Sequence, residues 1–166
     1  MDARARIALL FILCVPVMLT AGCGYSVYGK SSLPFTEIRI GKIENRTPEP
    51  KLEDKLYQAL VEEFAKNGIA VTPGAARSIS GVVRSYNMVS LSEKNDITVE
   101  YRVMVDAEFM FQDADGGARE IKTGLPFIVS FSGTGTMGDL LANRDVAETH
   151  AMADIAMEVV GALIYK

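Results

Sequence analysis

The most chemically informative residue is Cys23, which ends the stretch Leu19-Thr20-Ala21-Gly22-Cys23. The stretch follows an uncharged apolar run, residues 7–19, and a basic start with Arg4 and Arg6. That run is too short for a membrane span, which needs roughly 20 apolar residues, and it fits the apolar region of an export signal. Small residues before Cys23 are typical of a cleavage site, so this thiol is predicted to become the first side chain of the mature protein.

The pattern resembles the lipobox of bacterial lipoproteins, in which the cysteine thiol receives diacylglycerol and the freed amine is acylated. Thr20 stands where that pattern usually has leucine, and Gly24 after the cysteine implies sorting to the outer membrane. Each buried methylene contributes about 0.8 kcal/mol, so two or three acyl chains on one residue form a lasting anchor. The resemblance predicts that residues 1–22 are removed as a signal peptide and that residues 23–34 are a lipidated tether.

Other residues with chemical potential do not combine into an enzyme. Gly133–Gly138 has the spacing of a dinucleotide-binding loop, but such a site needs a parallel strand after the helix, which this sequence does not offer. His150 is the only histidine, so no Ser-His-Asp arrangement can be argued around it. Asp113 and Asp115 lack the glutamate that completes a calcium loop. We predict no catalytic residue, no metal site and no cofactor apart from the covalent lipid on Cys23.

Three basic residues, Arg46, Lys94 and Arg144, are candidates for binding an anion. A single lysine or arginine in a loop is ordinarily a solvated cation, whereas several at one end of a domain could bind phosphate. If the first helix is a crossover between parallel strands, the loops that carry the three residues meet at one end of the domain. The sequence therefore predicts an anion-binding end, opposite the acidic turn at Asp113–Gly117.

The overall charge limits the possible partners. The sequence has 166 residues, with 17 basic and 21 acidic ones and a formal net charge of −4. Removal of residues 1–22 leaves 144 residues and takes away two basic residues and one acidic residue, so the charge becomes −5. That length suits one domain with one core. The acidic balance argues against a nucleic-acid-binding protein, which would carry a basic patch.

The spacing of apolar residues predicts the order β-α-β-β-β-α. Leu52, Leu56, Leu60 and Phe64 form a helical stripe that Asn67-Gly68 closes. Residues 97–111 alternate between an apolar set and a mainly polar set that includes Met104 and Met110. The remaining elements are predicted over residues 35–43, 78–91, 119–134 and 139–164. We therefore predict one α+β domain, residues 35–166, in which two helices pack on a mixed, mainly antiparallel four-stranded sheet as a two-layer sandwich.

Two finer predictions concern faces. The alternating strand should bury the side of Val103 and Phe109, and Gly81 in the preceding strand is a candidate bulge. The closing helix should bury one apolar face, made of Val146, Ala153, Ala156, Met157, Val160 and Ile164.

Several stretches together resemble the LptE family of lipopolysaccharide-assembly lipoproteins. The resemblance covers essentially the whole chain, and the Asn-Arg-Thr loop and the order of elements carry most of its weight. The matching stretches are Cys23-Gly24-Tyr25, Asn45-Arg46-Thr47-Pro48-Glu49-Pro50, the helix with Leu52 and Leu56, Val99-Glu100-Tyr101-Arg102-Val103 and the alanine-rich closing helix.

The resemblance implies a non-enzymatic function. Proteins of this family are anchored in the inner leaflet of the outer membrane and face the periplasm. They plug and help to assemble the LptD β-barrel and assist lipopolysaccharide transport to the cell surface. The implied partners are an LptD-type barrel, lipopolysaccharide and the membrane leaflet, without nucleic acid. Lipopolysaccharide contact in the family involves basic loop residues, which Lys94 and Arg144 match in position, and Arg46 lies at the same predicted end.

A free-standing periplasmic lipid-binding lipoprotein is the alternative function. Such a protein would carry its lipid in a groove between the sheet and the helices, with a volume of roughly several hundred Å³.

Overall fold

The computed structural model describes residues 34–94, 97–123 and 126–164. This part of the chain has an α+β fold with two helices, as predicted, and six strands. The strands are β1 (Glu37–Asn45), β2 (Ala70–Val71), β3 (Ser78–Lys94), β4 (Ile97–Gln112), β5 (Ala118–Lys122) and β6 (Phe127–Ser132). The helices are α1 (Leu52–Lys66) and α2 (Met137–Ile164). Neither helix combines the length and the apolar character needed to cross a membrane.

All six strands form one mixed sheet. Its order is β2-β1-β3-β4-β5, and β6 pairs with β4 beside β5. β1 is parallel to both β2 and β3, which confirms the predicted crossover, and all other pairs are antiparallel. Both helices pack on the same side of this sheet and on each other, so the core lies between two layers.

The predicted number of four strands is wrong, because the return strand over residues 119–134 is divided. β5 pairs with Glu108–Gln112 of β4, and β6 pairs with Glu100–Val105 of the same strand. Pro126 stands before β6 and has no N–H to continue a ladder, which explains why one strand becomes two. The two residues of β2 supply the sixth strand.

The core confirms the predicted faces of β4 and α1. The buried residues of β4 are Val103, Val105, Ala107, Phe109 and Phe111, alternate residues that point toward the helices. The predicted stripe of α1 is fully buried, from Leu52 to Phe64. Burial of one such side chain contributes about 1.5–3 kcal/mol, so these two surfaces supply much of the driving force for folding.

The ends of α1 follow from local sequence. Glu53 and Asp54 place negative charge in the first turn, where the helix dipole favours it. At the other end Gly68 adopts a φ of 78°, a conformation that costs glycine little. The Ile69 N–H then donates to the Phe64 carbonyl at 2.9 Å, and the Gly68 N–H to the Ala65 carbonyl at 3.0 Å. This is a Schellman cap, and it confirms the predicted end of the helix.

The predicted buried face of α2 is wrong in part. Ala156 and Val160 are buried, but Val146 and Met157 are 54% and 58% exposed. The helix carries apolar residues on two sides, so its periodicity does not select between them, and packing against α1 and β6 decides. The residues that it buries are Ala147, Glu148, Ala151, Met152, Ile155, Ala156, Val159, Val160 and Leu163.

β3 and β4 form one long hairpin, paired from Ser78 opposite Gln112 to Lys94 opposite Ile97. The register shifts between Val83 and Ser85 and again near Leu91, which explains the untidy apolar pattern of β3. The prediction that Gly81 forms a bulge is wrong, because Gly81 pairs in regular register with Phe109 of β4, and the register shift beside it lies in β1, between Ile40 and Ile43.

Candidate functional site

The predicted lipidation site lies outside the described residues. The structure also does not describe the signal peptide, residues 1–22, or the tether from Cys23 to Leu33. Lipidation of Cys23 therefore stays a prediction from sequence.

Arg46, the first candidate cation, follows the last residue of β1. Its backbone N–H donates to the Val83 carbonyl at 3.0 Å, the last rung that joins β1 to β3. Its guanidinium Nη2 lies 3.0 Å from the Glu44 carboxylate, and Lys42 Nζ lies 2.9 Å from the other oxygen of that group. Hydrogen bonds from Lys42 and Arg46 lower the pKa of Glu44. An anion at Arg46 would therefore compete with a carboxylate already in place.

Arg144, the second candidate cation, lies in α2 and also has acidic partners. Its Nη2 is 3.1 Å from the Glu49 carboxylate, and its Nε is 3.5 Å from Glu148 Oε1. The side chain is 31% exposed, so part of the guanidinium remains open to solvent. Arg144 therefore links the β1–α1 loop to α2.

Glu148 is the centre of a polar network that joins both helices to the sheet. Its side chain is only 4% exposed. Glu148 Oε2 accepts a hydrogen bond from Lys55 Nζ at 2.6 Å, and Oε1 accepts one from the Tyr86 hydroxyl at 2.9 Å. Lys55 also donates to Asp145 at 2.7 Å. A buried carboxylate requires such partners, because an uncompensated charge in the core is costly.

The network perturbs the titration of its members. Burial alone would lower the pKa of Lys55, but its hydrogen bonds to Asp145 and Glu148 outweigh that effect and raise it. Burial and the hydrogen bond to Glu148 raise the pKa of Tyr86 well above its usual range. The hydrogen bond from Lys55 lowers the pKa of Asp145. All three shifts favour the protonation states that hold α1, α2 and β3 together near neutral pH.

Lys94, the third candidate cation, is the last residue of β3 and pairs with Ile97 at the hairpin tip. β1 ends beside Val83, eleven residues before Lys94 along the same strand. At 3.3 Å per residue that separation is about 35 Å. The prediction that the loops of Arg46 and Lys94 cluster at one end is therefore wrong, because β3 extends far beyond the end of β1.

A cavity of about 360 Å³ lies on the outer face of the sheet, away from the helices. Its rim carries balanced charges, since Glu44 contacts Lys42 and Arg46, and Arg84 forms a close ion pair with Glu108. No surplus of positive charge therefore distinguishes this cavity. The charged residues that line it are Lys42, Glu44, Arg46, Arg84, Glu108 and Glu120.

The glycine-rich loop Gly133–Gly138 forms a helix cap. Asp139 accepts hydrogen bonds from the Thr136 N–H at 2.8 Å and the Thr136 hydroxyl at 2.7 Å, and its own N–H donates to that hydroxyl at 3.3 Å. Gly135 has a φ of 112°, which suits glycine, and it leaves room for the Asp139 side chain. These contacts explain the glycines as a capping turn at the start of α2.

The other chemically suggestive residues have ordinary surroundings. Asp113 pairs with Arg77 Nε at 2.8 Å and accepts a hydrogen bond from the Ala114 N–H, so it holds its turn together. Asp115 accepts the Gly117 N–H at 2.9 Å in the same turn. His150 is exposed on α2. In residues 34–94, 97–123 and 126–164 no three His, Cys, Asp or Glu side chains are arranged to hold a metal ion.

Comparison with known protein families shows which family the chain belongs to. The sequence matches the model of the LptE lipopolysaccharide-assembly family over residues 35–163. The chain belongs to the LptE family. LptE proteins are lipopolysaccharide-assembly lipoproteins of the bacterial envelope and are not enzymes. No curated protein sequence is significantly similar to this LptE chain.

Solved structures show the same fold in other bacteria. Rare lipoprotein B from Shewanella oneidensis aligns with a TM-score of 0.54 at 12% identity, over 74% of this chain and 93% of its own. A candidate lipoprotein from Caulobacter crescentus aligns with a TM-score of 0.52 at 16% identity, over 73% of this chain and 86% of its own. At such low identity these similarities concern the fold of this LptE protein alone.

Sequence reasoning missed Glu148 and its partners. A glutamate on a helix is ordinarily exposed to solvent, and its neighbours Ala147 and Thr149 give no sign that Glu148 is buried. Its four-residue spacing from Arg144 is a weak signal of an ion pair. Lys55 and Tyr86 are far away in sequence, so only the fold brings them to Glu148.

Proposed function

We propose that this LptE protein is a lipid-anchored subunit of the lipopolysaccharide translocon of the outer membrane. In this proposal Cys23 carries the lipid, residues 23–34 tether the domain to the inner leaflet, and the domain plugs and helps to assemble an LptD-type β-barrel. It thereby assists lipopolysaccharide transport to the cell surface. The observation that carries the proposal is the family match over residues 35–163, which covers nearly all of the predicted domain.

Affinity purification of the tagged, full-length protein from outer membranes tests the proposal. We expect a large β-barrel protein to co-purify, and we expect the N-terminal peptide to begin at Cys23 with the mass of a triacylated cysteine. A Cys23→Ser variant separates lipid anchoring from barrel binding, since it cannot be lipidated but keeps the whole domain. If the wild-type protein is recovered without a barrel, the proposed translocon function is wrong.

Arg46 and Arg144 already pair with carboxylates, so the test of the proposed lipopolysaccharide contacts is made at Lys94. We expect Lys94→Glu to weaken lipopolysaccharide binding by about threefold or more at low salt, since one charge reversal acts on a phosphate in water. Lys66→Glu, an exposed change on α1, is the matched control. Equal affinities of both variants in a binding titration would contradict the assignment.

The contacts in the interior argue against the alternative of a free lipid carrier. The space between the sheet and the helices is filled by fully buried side chains, among them Ile38, Phe64 and Ile155. The cavity lies instead on the outer face of the sheet and has a charged rim. A lipid groove between the two layers would require these side chains to move apart.

A further inference from the structure

β3 has an open edge over its distal half. β4 pairs with it along its whole length, from Ser78 to Lys94. On the other side β1 pairs with it only as far as Val83. No described residue pairs with that side of β3 beyond Val83. Residues 85–92, the open edge, therefore present backbone groups that pair with no described residue on this side, a feature that favours pairing with another extended chain.

The hydrogen-bond pattern shows which backbone groups face this open edge. The Val83 carbonyl accepts from the Arg46 N–H, so the groups of Val83 point away from β4. The register then shifts by one residue, which makes Ser85 and Asp106 a pair that bonds across the hairpin. Because directions alternate along a strand, the N–H and C=O groups of Tyr86, Met88 and Ser90 point outward.

The cover by α1 ends at the same level as β1, whereas α2 continues over β6, where its Asn143 bonds to Ser132. Lys55 in the first turn of α1 and Tyr86 of β3 both bond to Glu148. From there α1 runs back toward β2, which pairs with the start of β1. The open edge therefore projects beyond β1 and α1.

The side chains of the open edge suit burial on both faces. Met88 lies opposite the buried Val103 on the helix side, and Val89 lies opposite Arg102 on the outer side. Met88, Val89 and Leu91 are 41%, 40% and 37% exposed. Residues 85–92 contain no charged side chain and no proline, two of the means of protecting an edge, and the pairing with β4 is regular from Ser85 to Ser90. A strand with apolar residues on both faces is typical of the interior of a sheet rather than its border.

The described sheet has other open edges, on β1 beyond its short pairing with β2 and on β5, and both carry charged residues such as Lys42 and Arg119. The open edge of β6 is protected as well. Pro126 stands at its start, and Asn143 of α2 donates its side-chain N–H to the Ser132 carbonyl at 3.1 Å. This edge is also six residues long at most. The contrast points to β3 as the edge that is kept available.

We propose that residues 85–92 of β3 bind an extended, uncharged segment of another polypeptide, which adds to the sheet as a further strand. Only a second backbone offers donors and acceptors at the spacing of Tyr86, Met88 and Ser90, and this mode of recognition is common in peptide-binding sheets. Alternating apolar side chains of the added segment would cover Met88 on one face and Val89 on the other. The inference does not require that the partner is the barrel of the proposed translocon.

Photo-crosslinking in cells that carry the full-length, lipidated protein tests the proposal. p-Benzoylphenylalanine replaces Asn87 or Val89, two exposed residues with side chains on the same face and backbones bonded to β4. We expect both positions to crosslink to one segment of one partner, at sites two residues apart. We expect Ser90→Pro, which removes an outward N–H, to lower the crosslinking yield at least about fivefold.

Two matched variants separate backbone pairing from other effects. Ser90→Ala changes the side chain and keeps the N–H, and Ser130→Pro removes an outward N–H from the edge of β6; both should crosslink like the wild type. If Ser90→Pro fails to fold, hydrogen exchange of the wild type decides: the Met88 and Ser90 amides must exchange more slowly with the partner bound than in the free chain.

Four results would overturn the proposal. They are no protein crosslink, crosslinks scattered over several segments, crosslinks to β3 of a second copy, and a yield that Ser90→Pro leaves unchanged. Recovery of the barrel is scored in the same preparations. A barrel that co-purifies without crosslinks at the open edge rejects this inference and leaves the proposed translocon function intact. Crosslinks to one segment of another protein, without a barrel in the preparation, reject the translocon function and leave this inference intact.

Discussion

At the scale of single residues, Glu148 carries more of the architecture than its sequence position suggests. One carboxylate accepts hydrogen bonds from Lys55 on α1 and Tyr86 on β3 and lies next to Arg144 on its own helix. Three elements therefore share one buried charge. Buried groups of this kind fix one arrangement of the elements, because any other arrangement leaves the charge without partners.

Glu148→Ala should lower the free energy of unfolding by about 2–4 kcal/mol, because the half-buried Lys55 and Tyr86 lose a partner. Glu148→Gln should cost less, since the amide oxygen can still accept one of the hydrogen bonds. Urea denaturation followed by circular dichroism measures both. Asp154→Ala, an exposed change on the same helix, is the control and should differ little from the wild type. Equal losses for the Glu148 and Asp154 variants would show that the network contributes nothing to stability.

At the scale of elements, a close approach fixes β3 against β4. A Cβ atom on Gly81 would lie 2.8 Å from two ring carbons of Phe109, a distance that forces something to move. Phe109 is 2% exposed, so its ring has little freedom to move away. The glycine therefore makes room for an aromatic core residue on the neighbouring strand.

Gly81→Ala should destabilise the domain by about 1–3 kcal/mol, because the added methyl overfills a packed site. Gly74→Ala is the matched control, since nothing lies within 4 Å of its added Cβ. Adding Phe109→Leu to Gly81→Ala should cost less than the sum of the two single changes, because the smaller side chain yields space. Strict additivity in thermal unfolding would mean that the two sites do not contact each other.

What the sequence could predict at this scale depended on the strength of each pattern. Every residue of one face of β4 and of the stripe of α1 is apolar, so their buried faces follow directly. α2 has apolar residues on two sides, and the buried side is set by α1, which no local pattern records. The register between β1 and β3 could not be predicted either, because no tight turn joins the two strands of a parallel pair. That register separates Arg46 from Lys94.

At the scale of the whole molecule, the ion pairs set the response to acid. Asp145 has a pKa below its ordinary value of 3.8, first because Lys55 donates a hydrogen bond to it. A group whose pKa is lower in the folded state stabilises that state above its unfolded pKa. This contribution is lost as the pH falls through the folded pKa. Stability should therefore decline below about pH 4.

Asp145→Asn should make this decline shallower. The variant should be less stable than the wild type near neutral pH, and the two stabilities should converge in acid, where Asp145 is protonated in both states. Urea midpoints measured from about pH 7 to about pH 2 provide the test. The effect should be modest, because the Asp145 side chain is 71% exposed and solvent screens the pair. Parallel pH profiles would exclude Asp145 as a contributor.

The long hairpin of β3 and β4 also has a consequence for the order in which the chain assembles. Lys94 pairs with Ile97, close by in sequence, so the contacts next to this pair are local and can form early. β1 pairs only with strands that come later in the chain, and it pairs in parallel, so it must wait for them. If the chain is exported N-terminus first, as the predicted signal peptide implies, β1 and the apolar stripe of α1 emerge before β3. The interval before β3 arrives would then be the period in which the nascent protein depends most on periplasmic chaperones.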